Sequence, residues 1–273
     1  MRSNPPRSGS QRLVSSWIRW FATIGASAAL LTAMTAVAPF APVDPLVAYA
    51  LGFAFVAGSA IAVGHACPRV HRRTLWLLVF PIGALALLGE HRTTGAALAA
   101  GVAAALLCGG SLLGTIVGRE VEHAGYLVFV AVVSSAMDLV SVFHPTGPSA
   151  MLATSPRAIS LLAVPWPMLG TSEIEPFLGV GDVVFTALYL AACRRHGLSE
   201  SRTVVALVMG FVATALTVIV LARPVPALPL LGAAVVGIHA EARHPPATDR
   251  MRGIVVAASV VLICLGLLVF RLR

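Results

Sequence analysis

Residues 95–118, GAALAAGVAAALLCGGSLLGTIVG, contain no charged side chain. At 1.5 Å per residue such a run is long enough to cross the hydrocarbon of a bilayer as a helix. Similar apolar runs lie at about 17–41, 45–66, 75–89, 124–143, 176–193, 203–222, 224–240 and 253–271, the third and eighth of the nine being short. Hydrophobic residues make up 58% of the chain and charged residues 11%, against roughly 25% charged in soluble domains. This composition excludes an ordinary soluble core. It predicts an all-α polytopic membrane protein of about nine transmembrane helices packed as one bundle in the lipid bilayer.

Short polar connections separate the runs: Pro42 to Pro45, then CPRVHRR (67–73), GEHRTT (89–94) and REVEH (119–123). The one long connection, His144 to Glu175, includes AISLLAVPWPMLG (158–170), too short and too proline-broken to span. It reads as an interfacial or re-entrant segment. The basic amino terminus followed by an apolar run resembles a signal peptide with AVA at 36–38 as its cut site, but Pro39 would follow the cut and the run is span-length. An uncleaved first helix is the better reading.

The formal net charge is +8, and all nineteen basic residues are arginine. They fall in clusters between apolar runs, a topological pattern rather than a nucleic-acid-binding one. Fourteen lie at the amino terminus and in the second, fourth, sixth and eighth connections, and five lie on the opposite side. Arginine-rich connections stay in the cytoplasm, so the amino terminus is expected to be cytoplasmic. Residue usage rich in Ala, Gly and Arg, without lysine, suggests a prokaryotic cytoplasmic membrane. Cys67, Cys108, Cys193 and Cys264 are scattered singly and read as small core residues, neither a disulfide framework nor a metal site.

Of eleven acidic residues only Asp138 and Asp182 lie inside apolar runs. An aspartate near the centre of a membrane helix costs about 2.5–3.5 kcal/mol, an expense that packing alone does not require. The structural alternative is an ion pair or a hydrogen bond to backbone; it needs a basic partner within the apolar region, and no Arg or His lies well inside any run. Asp138 falls five residues before the end of its run and Asp182 six residues into the next, placing both roughly 7–9 Å below one membrane face. Two carboxyls that meet in a low dielectric cannot both ionise and hold one proton between them. The ionised member can then take a proton from water while the protonated one polarises a carbonyl, which is aspartic-protease chemistry.

Gly179 and Gly181 flank Val180 just before Asp182 in LGVGDVVF (178–185). They are expected to permit close helix contact and the approach of an extended peptide. After the seventh run, RPVPALPLLG (223–232) carries Pro224, Pro226 and Pro229. These prolines break helical pairing at membrane depth, and freed backbone is tolerated there only where it lines a cavity or is buried in protein. By alternation of spans, Pro226, Ala227 and Leu228 start on the face and near the depth of both aspartates.

Three elements in order, a run ending in an aspartate, a following GxGD and a later PAL, resemble the GxGD intramembrane aspartyl proteases, the presenilins and signal peptide peptidases. MDLVSVFHPTGPSAML (137–152), LGVGDVVFTALY (178–189) and PALPL (226–230) are closest to presenilin, over about residues 124–240. The resemblance implies a presenilin-like bundle, with Asp138 and Asp182 as the catalytic pair. It implies that Met137, Gly179, Val180, Gly181, Pro226, Ala227 and Leu228 shape the site, and that single-pass transmembrane proteins are the substrates. No metal or cofactor is implied. The chain then divides into a basic tail (1–16), a four-helix scaffold (17–118), a catalytic region (119–240) and an extra carboxyl-terminal helix (241–273).

The sequence departs from the family in places. Met137 stands where the family has a tyrosine, only four runs precede the first aspartate where the family has five, and an extra run follows PAL. The loop between the aspartates is short, so a single intact chain is expected. Type IV prepilin peptidases also pair an aspartate with GxGD, but they lack PAL and usually continue with lysine where this chain has Val183 and Val184. A proton or cation transporter using both aspartates and a catalytically inactive relative are the non-proteolytic alternatives. There is no HExxH for a zinc protease, and Ser111 in CGGSLLG lacks both GxSG and GxSxG; its GSLLG reads as a GxxxG packing face.

Overall fold

Backbone polar groups cannot be left open in lipid, so the apolar runs fold as helices that satisfy themselves. The computed structural model describes residues 9–70, 72–90 and 95–270. Its helices and strands are α1 (Gly9–Val37), α2 (Pro45–Ala66), α3 (Val79–Glu90), α4 (Ala96–Glu120), α5 (Leu127–Phe143), α6 (Pro148–Ala153), α7 (Pro156–Leu162), β1 (Ala163–Pro167), β2 (Ile174–Gly179), α8 (Val180–Arg195), α9 (Glu200–Leu221), α10 (Leu228–Ile238) and α11 (Ala247–Phe270). Six helical segments among the described residues are long and apolar enough to cross a membrane: Val14–Phe40, Pro45–Ala66, Ala96–Glu120, Ala124–Met151, Glu200–Leu221 and Ala247–Val269. Large apolar side chains stand exposed along them, such as Val220 at 78% and Leu262 at 68%. Water would penalise such a surface and lipid does not. The protein is an all-α polytopic membrane protein.

The other three expected runs are present as shorter helices. The run at 75–89 is a 3₁₀ turn, Arg72–Leu78, leading into α3, and the run at 224–240 contributes the 11 residues of α10. The run at 176–193 is split: its first residues are strand, and α8 begins only at Val180. The basic tail also differs from expectation, because α1 begins at Gly9 and takes in its second half, while residues 1–8 lie outside the described residues.

Small residues set the packing. Gly110, Gly114 and Gly118 recur every fourth residue and make one face of α4. A side chain at Gly114 would strike the Val184 carbonyl of α8, and one at Gly118 the Leu188 carbonyl. The two backbones therefore touch, as the GxxxG spacing predicts. Gly232 of α10 sits in the same way against Ala131 of α5, and Gly253 of α11 against Phe129. Around these contacts one core gathers Trp20, Leu106, Leu107, Leu127, Tyr189, Leu207 and Leu231, all nearly inaccessible.

The long connection is folded. After α6 and α7 come β1 and β2, an antiparallel pair in which Ala163 faces Gly179 and Val164 faces Leu178, with a bulge between Val164 and Pro165. Pro165, Pro167 and Pro176 cannot donate to a ladder, which keeps the sheet short and irregular. Every residue of β1 is buried. At the hairpin tip Gly170 adopts φ +86, and its N–H donates to the Ala38 carbonyl at 2.8 Å, tying the hairpin to the α1–α2 connection. Trp166 and Phe177 pack on the open backbone of Gly52 in α2.

Candidate functional site

Asp138 lies five residues before the end of α5, as expected, and the turn between α9 and α10 meets its carboxyl. Helix α9 ends at Leu221, where Ala222 takes a left-handed conformation with φ 48, and the chain then runs through Pro224 and Pro226 to α10. A left-handed residue closes a helix and redirects the chain. The backbone N–H of Leu228, first residue of α10, donates to Asp138 Oδ2 at 3.0 Å across 90 residues of sequence, and the N–H of Ala227 is also directed at that carboxylate. These are the orphan donors of a helix start, so the proline-rich turn supplies them at no cost to helix pairing. Pro226, Ala227 and Leu228 are all buried.

Asp182 sits differently from the sequence expectation. It is not six residues inside a span but in the first turn of α8, directly after β2, with its carboxylate turned back to the N–H of Gly179, the residue capping that helix. A carboxylate at the third helical position reaching the cap N–H is one half of a capping box, and the positive end of the helix dipole favours an acidic group there. Asp138 acts electrostatically on Asp182, and no cation contributes to its surroundings among the described residues. The fold therefore brings the two carboxyls into one neighbourhood without a basic partner.

The flanking glycines do not make the close helix contact expected of them. A side chain at Gly181 would meet nothing within 4 Å, and one at Gly179 would meet only Asp182 Oδ2, at 3.5 Å. The close contact belongs to α4 instead. What Gly181 leaves is exposed open space beside Asp182. Val180 is partly buried against the core, and Met137, next to Asp138, is 60% exposed on the outer surface of α5.

Sequence reading missed a polar stripe beneath the dyad. Asp182, Thr186 and Tyr189 are spaced i, i+4, i+7 along α8 and share a face. Thr186 is fully buried with its hydroxyl unpartnered, and the buried Tyr189 hydroxyl lies beside Ser134 of α5. The spacing was visible, but two neutral residues in an apolar helix attract less notice than a charge. A cavity of about 700 Å³ opens between the hairpin, α7 and the start of α4, with Ile174, Glu175 and Pro176 of β2 on its wall; neither aspartate lines it. No group of His, Cys, Asp and Glu residues suited to a metal ion occurs among the described residues.

No protein-family model matches the chain, and no curated protein matches its sequence.

Proposed function

We propose that the chain is an intramembrane aspartyl protease of the presenilin and signal peptide peptidase kind, built on a presenilin-like bundle of about nine spans. One observation carries the reading. Asp138 is held by the backbone of the Pro226–Leu228 turn, and the same carboxyl acts on Asp182 at the head of α8. A purely structural pair would want a cation, because two unpaired carboxyls in an apolar bundle cost stability. Proteolysis wants the opposite: two carboxyls, one proton between them, and backbone donors that hold one carboxyl in place.

The chemistry follows from that arrangement. Water between the carboxyls loses a proton to the ionised member and attacks the scissile carbonyl, whose oxygen the protonated member stabilises. Collapse of the tetrahedral intermediate returns a proton to the leaving amine and restores the dyad. The strand β2 has one edge unpaired and runs straight into α8. An extended segment of a single-pass transmembrane protein laid along that edge would travel toward Asp182, and Gly181 leaves room for its backbone. The arginine distribution puts this end of the bundle on the external face of a prokaryotic cytoplasmic membrane.

The test is cleavage of a generic single-pass substrate by the purified protein in liposomes. Asp138→Asn and Asp182→Ala should each lower the rate by about a hundredfold or more, while the protein still accumulates in the membrane. Cleavage at the normal rate by Asp182→Ala would end the proposal. Ion flux that survives where no cleavage occurs would favour a transporter instead.

A further inference from the structure

At the end of the bundle away from the dyad, four arginines converge on a cavity of about 260 Å³: Arg69 after α2, Arg119 at the end of α4, and Arg194 and Arg195 at the end of α8. Thr115 and Ala191 complete its wall. Two of the arginines are committed. Arg119 Nη1 donates to the Val70 carbonyl at 3.0 Å; Arg194 donates to Glu200 at 3.1 and 3.3 Å and to the His65 and Cys67 carbonyls. Glu200 is shared with His65 and offsets Arg194. Arg69 and Arg195 are exposed, and both press electrostatically on Arg119, which among the described residues has Glu120 as its acidic neighbour. Three like charges around one hollow repel each other, and a bound anion would remove that penalty.

A second observation points into the same cavity. Thr115 is only 2% exposed, lines the hollow, and its hydroxyl has no hydrogen-bond partner. The one group that reaches it among the described residues is the thiol of Cys67, a weak hydrogen-bonding partner that also donates to the Ser111 carbonyl. An orphaned buried hydroxyl costs stability unless something accepts or donates there. A larger hollow of about 980 Å³ shares Arg69 and Arg194 with the first and continues between α1 and α2, past Ala22, Ala26 and Ala62. Its wall there sets those alanines beside Ser16, Arg19 and Thr23, on two helices long and apolar enough to cross a membrane.

We propose that this cavity binds a phosphate group, with Arg69, Arg119 and Arg195 as the cationic donors and Thr115 as the buried hydroxyl. Planar guanidinium forks match phosphate oxygens, and basic pockets between membrane helices suit anionic lipid headgroups. The groove between α1 and α2 gives an acyl chain a place to lie beside the headgroup.

The experiment compares lipid retention by the full-length protein, purified from bilayers of phosphatidylglycerol and phosphatidylcholine and read by native mass spectrometry. The wild type should retain phosphatidylglycerol and release phosphatidylcholine. The Arg69→Gln/Arg195→Gln double variant should lose that retention by about tenfold or more. Arg250→Gln, an exposed arginine in an arginine-rich connection outside the cavity, should not. Thr115→Val keeps the shape and should weaken retention by a few-fold without loss of folded protein, since it removes only an unpaired hydroxyl. Added inorganic phosphate that displaces the lipid would assign the site to the free anion, and failure to displace it assigns the site to the headgroup. Both outcomes uphold the phosphate site. Equal retention of the two lipids by the wild type, or unchanged retention in both the double variant and Thr115→Val, overturns it.

Discussion

At its first turn α8 carries Asp182, and at its last turn Arg194 and Arg195. The helix dipole favours both placements, acid at the amino end and base at the carboxyl end. The surroundings differ completely. Arg194 is answered by Glu200 and by two carbonyls, whereas Asp182 has another carboxyl acting on it and, among the described residues, is answered by the N–H of its own cap residue. At one end the charge of Arg194 is neutralised by the fold, and at the other Asp182 has a second carboxyl acting on it and no cation among the described residues.

The largest effect expected from this contrast concerns sidedness. If the arginine end is cytoplasmic, a reporter active only outside the cytoplasm should be on when fused after Ser149, near the dyad end, and off when fused after Gly197. The reverse pattern would turn the bundle over and move the proposed site to the inner face. Next comes the seam that joins the two ends. Gly114→Val drives a side chain into the backbone of α8, and overpacking of this kind costs about 1–3 kcal/mol or more. Thermal denaturation in detergent should show the loss, and normal stability would mean that α4 and α8 can separate freely.

Removing the neutralised charge should matter less than disturbing the seam. Arg194→Gln strips hydrogen bonds from Glu200 and from the His65 and Cys67 carbonyls, a loss of about 1–3 kcal/mol for charge-assisted bonds, visible as a lowered denaturation midpoint with the dyad chemistry intact. The smallest stability change belongs to Met137→Tyr. Its side chain is 60% exposed, so stability should stay within about 0.5 kcal/mol, while the cleavage-site pattern on a substrate panel shifts. An identical pattern would place residue 137 outside the substrate path.

Much was legible before any coordinates. Apolar length alone predicts the spans, because lipid forces each segment to satisfy its own backbone, and the six longest runs became six long helices. The GxxxG spacing in α4 correctly pointed to a packing face, since helix periodicity puts every fourth residue on one side. Two intramembrane aspartates and a proline-rich turn were conspicuous because each violates the rules of its environment. The hairpin β1–β2 was not legible: its run of apolar and proline residues fits no period, and its strands are held by tertiary contacts with α2, α4 and the α1–α2 connection.

Local sequence thus determined the six long helices and which side chains were chemically out of place. Tertiary structure decided what those side chains are near. Only the fold could show that Asp182 lies in the first turn of a helix instead of deep within one, that Gly181 beside it faces open space, and that the Leu228 N–H meets a carboxylate 90 residues away. Periodicity and hydropathy act along the chain over a few residues, whereas a contact between distant segments depends on how whole helices pack. The cluster of Arg69, Arg119 and Arg195 around one cavity is the same lesson at the other end, three connections that in sequence are only basic.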